Sequence, residues 1–283
     1  MNNNHPRLAL VIGSGSVKCA AALGVWKVLQ REGIEIDMVV GCSGGSLYAS
    51  GIALGYDVAE FEKMTINFWT SDLMASYPAN LKAAMAGETE FNERSGLVDD
   101  APMMARLKDA FGDRQFNEAG IPLYIVATDI RNGEKVVISD GKLFDAIRAS
   151  LAIPMIFPPW EVDGRLLTDG AVSDPLPVDV AIKEGAQIIL ALGFDLPTRA
   201  RMRSMNAVQT HLNAIYMNNI LRATYAFYNL AHHAELITLL PEFDKPVGNF
   251  DTHLFPYIIE KGEQTAIAQL PYLKRLLEAK DTL

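Results

Sequence analysis

The sequence predicts an α/β fold in which a mainly parallel sheet carries helices on both faces. Short apolar runs that suit buried strands alternate with segments of helical periodicity. Two of the apolar runs end in glycine-rich turns that open helices. The chain of 283 residues, 49% hydrophobic and 21% charged, is long enough for one domain with a sizeable core. This alternation is typical of parallel sheets, whose sites lie beyond the carboxyl ends of the strands.

The first elements follow from their apolar patterns. Residues 8–12 predict a strand, and residues 18–32 predict a helix that Gly33 ends. Residues 36–40 predict a second strand, followed by a second helix through about residue 54. Because the first two strands both end in glycine-rich turns, we expect these turns to lie side by side. Later elements are expected as strands at 121–130 and 134–139, a helix at 143–153, a strand at 187–194, and helices at 206–234 and 259–280.

Charge and composition exclude several functional classes. The net charge of -9 argues against nucleic acid as the main partner. No run approaches the ~18 apolar residues of a membrane span, and the opening MNNNHPRLAL does not resemble a secretory signal. The chain has only two cysteines, Cys19 and Cys42, so a disulfide scaffold is not expected. We expect a cytoplasmic location instead. Spacings suited to zinc or calcium are absent, so no metal or cofactor is expected.

Residues 39–51, VVGCSGGSLYASG, contain a candidate nucleophile. Ser43 stands between Gly41 and the pair Gly44 and Gly45, at the predicted junction of strand and helix, as a nucleophile elbow requires. The Gly44 N–H and the helix N-terminus would stabilise negative charge there. An ordinary small-residue turn explains the same pattern. Cys42 is a rival nucleophile, although strand alternation predicts that it points into the core.

The residue that would take the proton of Ser43 has more than one candidate. Among the histidines, His253 in a polar loop remains a possible base. The stretch GRLLTDGAVSDPLPVDVA, residues 164–181, offers Asp169, which follows a short apolar run. A poorly solvated aspartate can accept a serine proton directly, but a turn or helix cap also explains Asp169. The other candidates are better explained by packing, capping or surface positions: His211, His232, His233, Asp174 and Asp179.

Four stretches together resemble the bacterial patatin-like phospholipases. They occur in the family's order and span residues 8–181: VIGSGSVKCAAALGV, GCSGGS, ASLAIPMIFPPWEVDGR and LTDGAVSDPLPVDVA. The resemblance implies a patatin-like three-layer α/β/α fold. It also implies a single domain over residues 1–283, with the motif-bearing core at about residues 8–195 and a helical C-terminal part at about residues 196–283.

The resemblance implies a Ser–Asp dyad. Ser43 would attack an ester carbonyl and Asp169 would act as the general base, so that no histidine or metal is required. The implied reaction is hydrolysis of a phospholipid, lysophospholipid or other fatty-acyl ester through an acyl-serine. The resemblance also implies an oxyanion hole, formed by Gly13, Ser14, Gly15, Ser16 and Gly44. The residues that it implies as support for the motifs are Lys18, Gly41, Gly45 and Gly170.

The first glycine-rich loop departs from the family pattern. Lys18 matches the usual basic residue, but Ser14, Ser16 and Cys19 stand where glycine is usual. Serine adopts positive φ angles at a higher cost than glycine. An alternative is therefore a catalytically weak or inactive patatin-like protein with a regulatory or binding role. Nucleotide binding is disfavoured, because Lys18 replaces the third glycine of a dinucleotide fingerprint.

Two further features remain open. Cys19 lies at a predicted helix N-terminus, where the pKa of a thiol tends to fall. Residues 70–95 suit either a lid over an acyl pocket or a surface excursion, with Met74, Tyr77 and Met85 as candidate lid residues.

A basic segment precedes an aromatic one near the C-terminal part. Basic residues beside aromatics can dock on anionic lipid, which would give peripheral contact at the inner membrane face. The pattern favours instead a solvated loop followed by a core-facing aromatic stripe. The residues are Arg199, Arg201 and Arg203 in PTRARMRSM, and Tyr216, Tyr225, Phe227 and Tyr228.

Overall fold

The computed structural model describes residues 6–196, 201–231, 233–248 and 251–278. The strands are β1 (Leu8–Ile12), β2 (Met38–Cys42), β3 (Leu123–Asp129), β4 (Lys135–Ile138), β5 (Trp160–Val162), β6 (Arg165–Asp169), β7 (Ile188–Leu192) and β8 (Glu235–Leu239). They form one sheet in the order β5-β6-β3-β2-β1-β7-β8, and β4 also pairs with β3. The pairs among β3, β2, β1, β7 and β8 are parallel, so the sheet is mainly parallel, as the sequence predicts.

Helices cover both faces of this sheet. They are α1 (Ala21–Arg31), α2 (Gly44–Ala53), α3 (Val58–Phe68), α4 (Tyr77–Met85), α5 (Ala101–Phe111), α6 (Leu143–Ser150), α7 (Val178–Lys183), α8 (Met205–Ala231) and α9 (Phe255–Glu278). Alternate residues of β1 serve two cores: Leu10 joins the larger cluster with α1 and α9, and Val11 joins the smaller one with α7 and Leu221 of α8. The predicted α/β/α layering is therefore confirmed.

The closing helix α9 packs directly against α1 through glycine. A Cβ on Gly24 would lie 2.1 Å from the Ile259 carbonyl oxygen, and one on Gly262 would lie 2.1 Å from the Ala21 carbonyl oxygen. The two helix backbones are thus in contact, without room for a side chain between them. This contact ties the C-terminal part of the chain to α1, the helix that follows the first glycine-rich loop.

The register along β3 brings two distant segments together. Ile125 pairs with Gly41 of β2 on one edge and with Ile138 of β4 on the other. Ala127 pairs with β4 as well as with Asp169 of β6, so β6 must lie on the edge that β2 occupies. The two strands therefore follow one another end to end along β3. Because β6 runs antiparallel to β3, its last residue, Asp169, meets the carboxyl end of β2.

Several elements differ from the prediction. The first helix opens with a 3-10 turn at Ser16–Ala20. The long helix ends at Ala231, and β8 then adds a parallel strand beside β7 that was not predicted. The C-terminal part is therefore not purely helical and shares the central sheet. The helical pattern masked this strand, because Glu235–Leu239 is short and begins just after the helix.

The excursion at residues 70–95 contains a 3-10 turn at Ser71–Met74 and the helix α4. Met74 and Tyr77 pack against the larger core, whereas Met85 is exposed. The lid interpretation stays a prediction. Among the described residues, we find no helix with the length and apolar character to cross a membrane.

Candidate active site

The turn between β2 and α2 has the geometry of a nucleophile elbow. Ser43 adopts φ 53 and ψ -129, a strained conformation for a residue other than glycine. The flanking glycines are required by close backbone approach. A Cβ on Gly45 would lie 2.3 Å from the Ile12 carbonyl oxygen, and one on Gly41 would lie 2.6 Å from Cα of Ser46. The turn can therefore form only with small residues on both sides of the serine.

The Ser43 hydroxyl is hydrogen-bonded to an aspartate. Ser43 Oγ donates to Asp169 Oδ2 at 2.6 Å, and Asp169 Oδ1 accepts from the Ala171 N–H at 2.8 Å. Ser43 and Asp169 are both buried. His253, the alternative base, is exposed in a 3-10 turn remote in sequence from both residues. The structure therefore gives the Ser43 hydroxyl a carboxylate partner.

Burial makes Asp169 a stronger base than an ordinary carboxylate. Removal from water raises its pKa from 3.8 to about 6, while the hydrogen bonds from Ser43 and Ala171 act in the opposite direction. A carboxyl group with this pKa is largely ionised at neutral pH yet binds a proton more tightly than an exposed aspartate does. Such a group suits general-base work.

The predicted supporting position Gly170 lets the chain turn away after Asp169. A Cβ there would lie 2.2 Å from the Val126 carbonyl oxygen and 2.9 Å from Cys42 Sγ. The Asp169 backbone is further fixed by its own N–H, which donates to the Ala152 carbonyl at 2.9 Å, and by its carbonyl, which accepts from Thr128 Oγ1 at 2.9 Å.

Ser150 fixes the backbone of Ser43. Its Oγ accepts from the Ser43 N–H at 2.8 Å and donates to the Val126 carbonyl at 2.7 Å. Ser150 is completely buried at the end of α6. The sequence alone does not indicate this role, although Ser150 lies in the third family-like stretch. The contact between residues far apart in sequence gives no periodic signal.

Two N–H groups of the first glycine-rich loop that were expected in the oxyanion hole already have backbone acceptors. The Gly13 N–H donates to the Leu192 carbonyl at 2.9 Å, and the Ser14 N–H donates to the Pro175 carbonyl at 2.8 Å. These two N–H groups anchor the loop to its neighbours and are therefore already engaged. The correction narrows the predicted set to Gly15, Ser16 and Gly44.

The narrowed set lies where the loop meets the elbow. A Cβ on Gly44 would lie 2.8 Å from the Ser16 carbonyl oxygen. Ser16 has φ 51, the left-handed region that the usual glycine would enter at less cost. A Cβ on Gly15 would lie 2.4 Å from the ring of Phe194. The loop is thus pressed between the elbow and the segment that follows β7.

Lys18 is a buried anchor of the same loop. Its Nζ donates to the Asp195 carbonyl at 2.9 Å. Burial lowers the pKa of Lys18, and Cys19 and Asp195 partly oppose that shift. The ammonium group therefore ties the start of the first helix to the chain beyond β7.

The two cysteines are structural rather than reactive. Cys19 Sγ donates to the Gly13 carbonyl and Cys42 Sγ to the Asp174 carbonyl, each at 3.3 Å. Burial raises the pKa of both thiols well above the ordinary value. The expected lowering at Cys19 is therefore wrong, because loss of water outweighs the helix terminus. The prediction that Cys42 points into the core is confirmed.

Asp174 and Asp179 belong to an ion-pair cluster beside the site. Lys135 Nζ lies 2.9 Å from Asp174 Oδ2 and also pairs with Asp179. Asp174 caps the following turn by accepting from the Leu176 N–H, as predicted. Asp179 is buried instead of lying on the surface, since its charge is matched by Lys135.

Of the remaining sequence candidates, His211 lies in α8 and His233 follows it, whereas His232 and Arg199 are outside the residues that the structure describes. In the described part of the chain, no cluster of three or more His, Cys, Asp or Glu residues is arranged to hold a metal ion.

Comparisons with known proteins identify the family of the chain. The family model described as Patatin-like phospholipase matches residues 10–182, which include Ser43 and Asp169. The chain belongs to the patatin-like phospholipase family. Human patatin-like phospholipase domain-containing protein 6 is 30% identical to it over 194 residues, which cover 65% of this chain and 13% of that protein.

Family relatives and a solved structure extend over more of the chain. An uncharacterised NTE family protein of Mycobacterium tuberculosis is 28% identical over 235 residues, which cover 83% of this chain and 61% of that protein. The chain thus spans less than two thirds of the curated relatives it matches. The solved structure of human GIVD cytosolic phospholipase A2 in complex with methyl gamma-linolenyl fluorophosphonate aligns with this chain at a TM-score of 0.52 and 11% identity. The alignment covers 99% of this chain and 60% of that chain. This likeness supports the patatin-like fold.

The raised pKa of Asp169 predicts an effect on stability. A group whose pKa is higher in the folded state stabilises the fold below the unfolded pKa, here 3.8, and loses that contribution as the pH rises through about 6. Asparagine mimics the protonated acid. We therefore expect Asp169→Asn to melt at a higher temperature than the wild type at pH 8, and at nearly the same temperature near pH 4. Thermal melts over this pH range measure the difference.

Asp179→Asn is the matched control for this experiment. Although burial raises the pKa of Asp179, its hydrogen bonds with Lys135 and Lys183 lower it overall. Its charge therefore stabilises the fold above the ordinary pKa, and the substitution should lower the melting temperature at pH 8. Asp169→Asn could instead melt at a lower temperature than the wild type, by the same amount at pH 8 as at pH 4. That result would contradict the claim that burial of the ionised carboxylate is costly.

Proposed function

We propose that the protein is a serine acyl hydrolase that cleaves a fatty-acyl ester by means of a Ser43–Asp169 dyad. The observation that carries the proposal is the 2.6 Å hydrogen bond from Ser43 Oγ to the buried carboxylate of Asp169. Membership of the patatin-like phospholipase family supports a lipid substrate, either a phospholipid, a lysophospholipid or another fatty-acyl ester. The strained elbow that presents the serine supports nucleophilic attack.

In the first half of the proposed reaction, Ser43 Oγ attacks the ester carbonyl carbon. Asp169 Oδ2 takes the hydroxyl proton as the new C–O bond forms. The tetrahedral intermediate then expels the alcohol, to which Asp169 returns the proton. The product is an acyl group bound to Ser43, and both oxygens of the carboxylate return to their starting state.

In the second half, a water molecule replaces the alcohol. Asp169 removes a proton from the water as it attacks the acyl-serine carbonyl, and returns the proton to Ser43 Oγ as the fatty acid departs. The dyad therefore carries every proton transfer of the cycle.

The negative charge of the intermediate needs donors beside Ser43. The Gly44 N–H at the start of α2 is the first candidate, since the helix dipole also favours an anion there. The backbone of Ser16, the residue after Gly15, adjoins it. One well-placed donor is worth about 3 kcal/mol of transition-state stabilisation. Catalytic rate would therefore depend on how the first loop is held.

The dyad predicts which substitutions abolish ester hydrolysis. With a short-chain p-nitrophenyl ester, Ser43→Ala and Asp169→Asn should each lower kcat/KM by about 100-fold or more, the scale of nucleophile and general-base catalysis. In the wild type, kcat/KM should rise as the pH passes about 6, because Asp169 must be ionised. Steady-state rates measure both effects.

Cys42→Ala is the matched control for that assay. Its thiol lies next to the nucleophile in sequence but is buried and hydrogen-bonded to the Asp174 carbonyl. This variant should keep wild-type kcat/KM. Activity that survives Ser43→Ala would refute the dyad. A folded wild type that is inert on short and long acyl esters would favour the regulatory alternative and point to the strained Ser16.

Ser150 is expected to act as a positioning residue for the nucleophile. Ser150→Ala leaves the buried Ser43 N–H without its side-chain acceptor, so the elbow can shift. We expect kcat to fall about tenfold with little change in KM, because small displacements of a nucleophile cost rate before affinity. Rates at saturating and low ester concentrations separate the two constants.

Ser50→Ala provides the comparison for Ser150. Ser50 is another completely buried serine, and its Oγ donates to the Ser46 carbonyl at 2.8 Å within α2. It has no hydrogen bond to Ser43, so kcat should be retained. Equal losses of kcat in Ser50→Ala and Ser150→Ala would show a general effect of core hydroxyls.

A further inference from the structure

The outer face of α8 is apolar and exposed. Phe227 is 62% exposed and Leu230 is 89% exposed. They belong to a set of exposed apolar residues spaced by three, four or seven positions: Met205, Val208, Leu212, Tyr216, Ile220, Phe227 and Leu230. At about 100° per residue, these side chains fall within roughly a third of the helix circumference. They form one continuous stripe, which we call the α8 outer face.

This finding corrects the expectation of a core-facing aromatic stripe. Tyr216 and Phe227 are exposed, whereas Tyr225 and Tyr228 are half-buried against the smaller core. The helix is apolar on opposite faces, so its periodicity alone did not indicate which face packs inward. A large exposed apolar stripe is unusual for a protein surface and marks a site of interaction.

The opposite face of α8 already fixes the helix to the protein. Leu221 is buried in the smaller core, and the Asn218 side chain accepts from the Leu196 N–H and donates to the Leu196 carbonyl, at 2.8 and 2.9 Å. These contacts hold the helix without using the α8 outer face. Among the described residues, that face therefore remains available to a partner.

The charge around α8 indicates the chemistry of that partner. The chain has 34 acidic and 25 basic residues, yet residues 196–234 contain no aspartate or glutamate. The same segment carries four arginines, of which Arg201, Arg203 and Arg222 are exposed in the described residues. An apolar helix face flanked by arginine matches an interface of acyl chains and anionic headgroups.

We propose that the protein docks on anionic phospholipid membranes through the α8 outer face, with Arg201 and Arg203 contacting the headgroups. The inference extends the proposed function, because a lipid hydrolase must reach substrate in such a surface, but docking itself does not need the dyad. The helix lies beside the first loop: Met217 and Leu221 line a small cavity together with Ser14 and Phe194. The inward face of α8 therefore meets the first loop, while the α8 outer face would meet the lipid.

Cosedimentation of the full chain with vesicles tests this proposal. We expect the wild type to bind mixed phosphatidylcholine–phosphatidylserine vesicles more tightly than pure phosphatidylcholine vesicles. The double variants Phe227→Ser/Leu230→Ser and Arg201→Glu/Arg203→Glu should each bind the mixed vesicles at least about tenfold more weakly. Their hydrolysis of a short soluble ester should match the wild type, since the substituted side chains are exposed whereas Ser43 and Asp169 are buried.

Two controls separate docking from general effects and from catalysis. Ile267→Ser removes an apolar side chain from α9 that is 46% exposed, and it should bind vesicles like the wild type. Ser43→Ala should also bind like the wild type, so failure of the proposed catalysis would leave the docking result intact.

Three outcomes would overturn the proposal. The wild type could fail to bind the mixed vesicles, or the Phe227→Ser/Leu230→Ser variant could bind them equally well. A lipid-free dimer that this variant dissociates, measured by sedimentation equilibrium, would assign the α8 outer face to a second copy of the chain instead.

Discussion

The burial of the Asp169 carboxylate against the Ser43 hydroxyl is the interaction on which the rest of the site depends. A buried charge is costly unless hydrogen bonds replace its water. Here the replacements are the Ser43 hydroxyl and the Ala171 N–H, which do not fully restore the ordinary pKa. The fold thus holds an aspartate as a base of intermediate strength, and other parts of the structure keep water away from it and its partner in place.

The sheet accomplishes this placement through β3. One edge of that strand pairs first with β2 and then with β6, so the ends of the two strands meet. The junction is locked from the side by Ser150, which joins the elbow N–H to the Val126 carbonyl. Glycine at positions 41, 45 and 170 removes side chains that would separate these backbones. Ser43, Asp169 and Ser150, the proposed nucleophile, base and positioning residue, are therefore parts of one junction.

The local features of this arrangement could be predicted from the sequence, but the long-range strand pairing could not. Ser43 and the first strands could be predicted because the elbow is contiguous and its glycines are visible. The residues alone left Asp169 and His253 as competing bases, since the choice depends on strand pairing across more than a hundred residues. The β8 strand and the outward direction of Phe227 were also missed. The strand is short and begins just after the helix. The direction of Phe227 depends on which face of a long, doubly apolar helix meets the sheet.

The central claim is that Ser43 is a nucleophile activated by Asp169. It is tested most directly by treating the protein with a fluorophosphonate and locating the adduct by peptide mass spectrometry. We predict one adduct, on Ser43, that forms rapidly in the wild type and at least about 100-fold more slowly in Asp169→Asn. An adduct on another residue, or equal rates in the two proteins, would contradict the dyad.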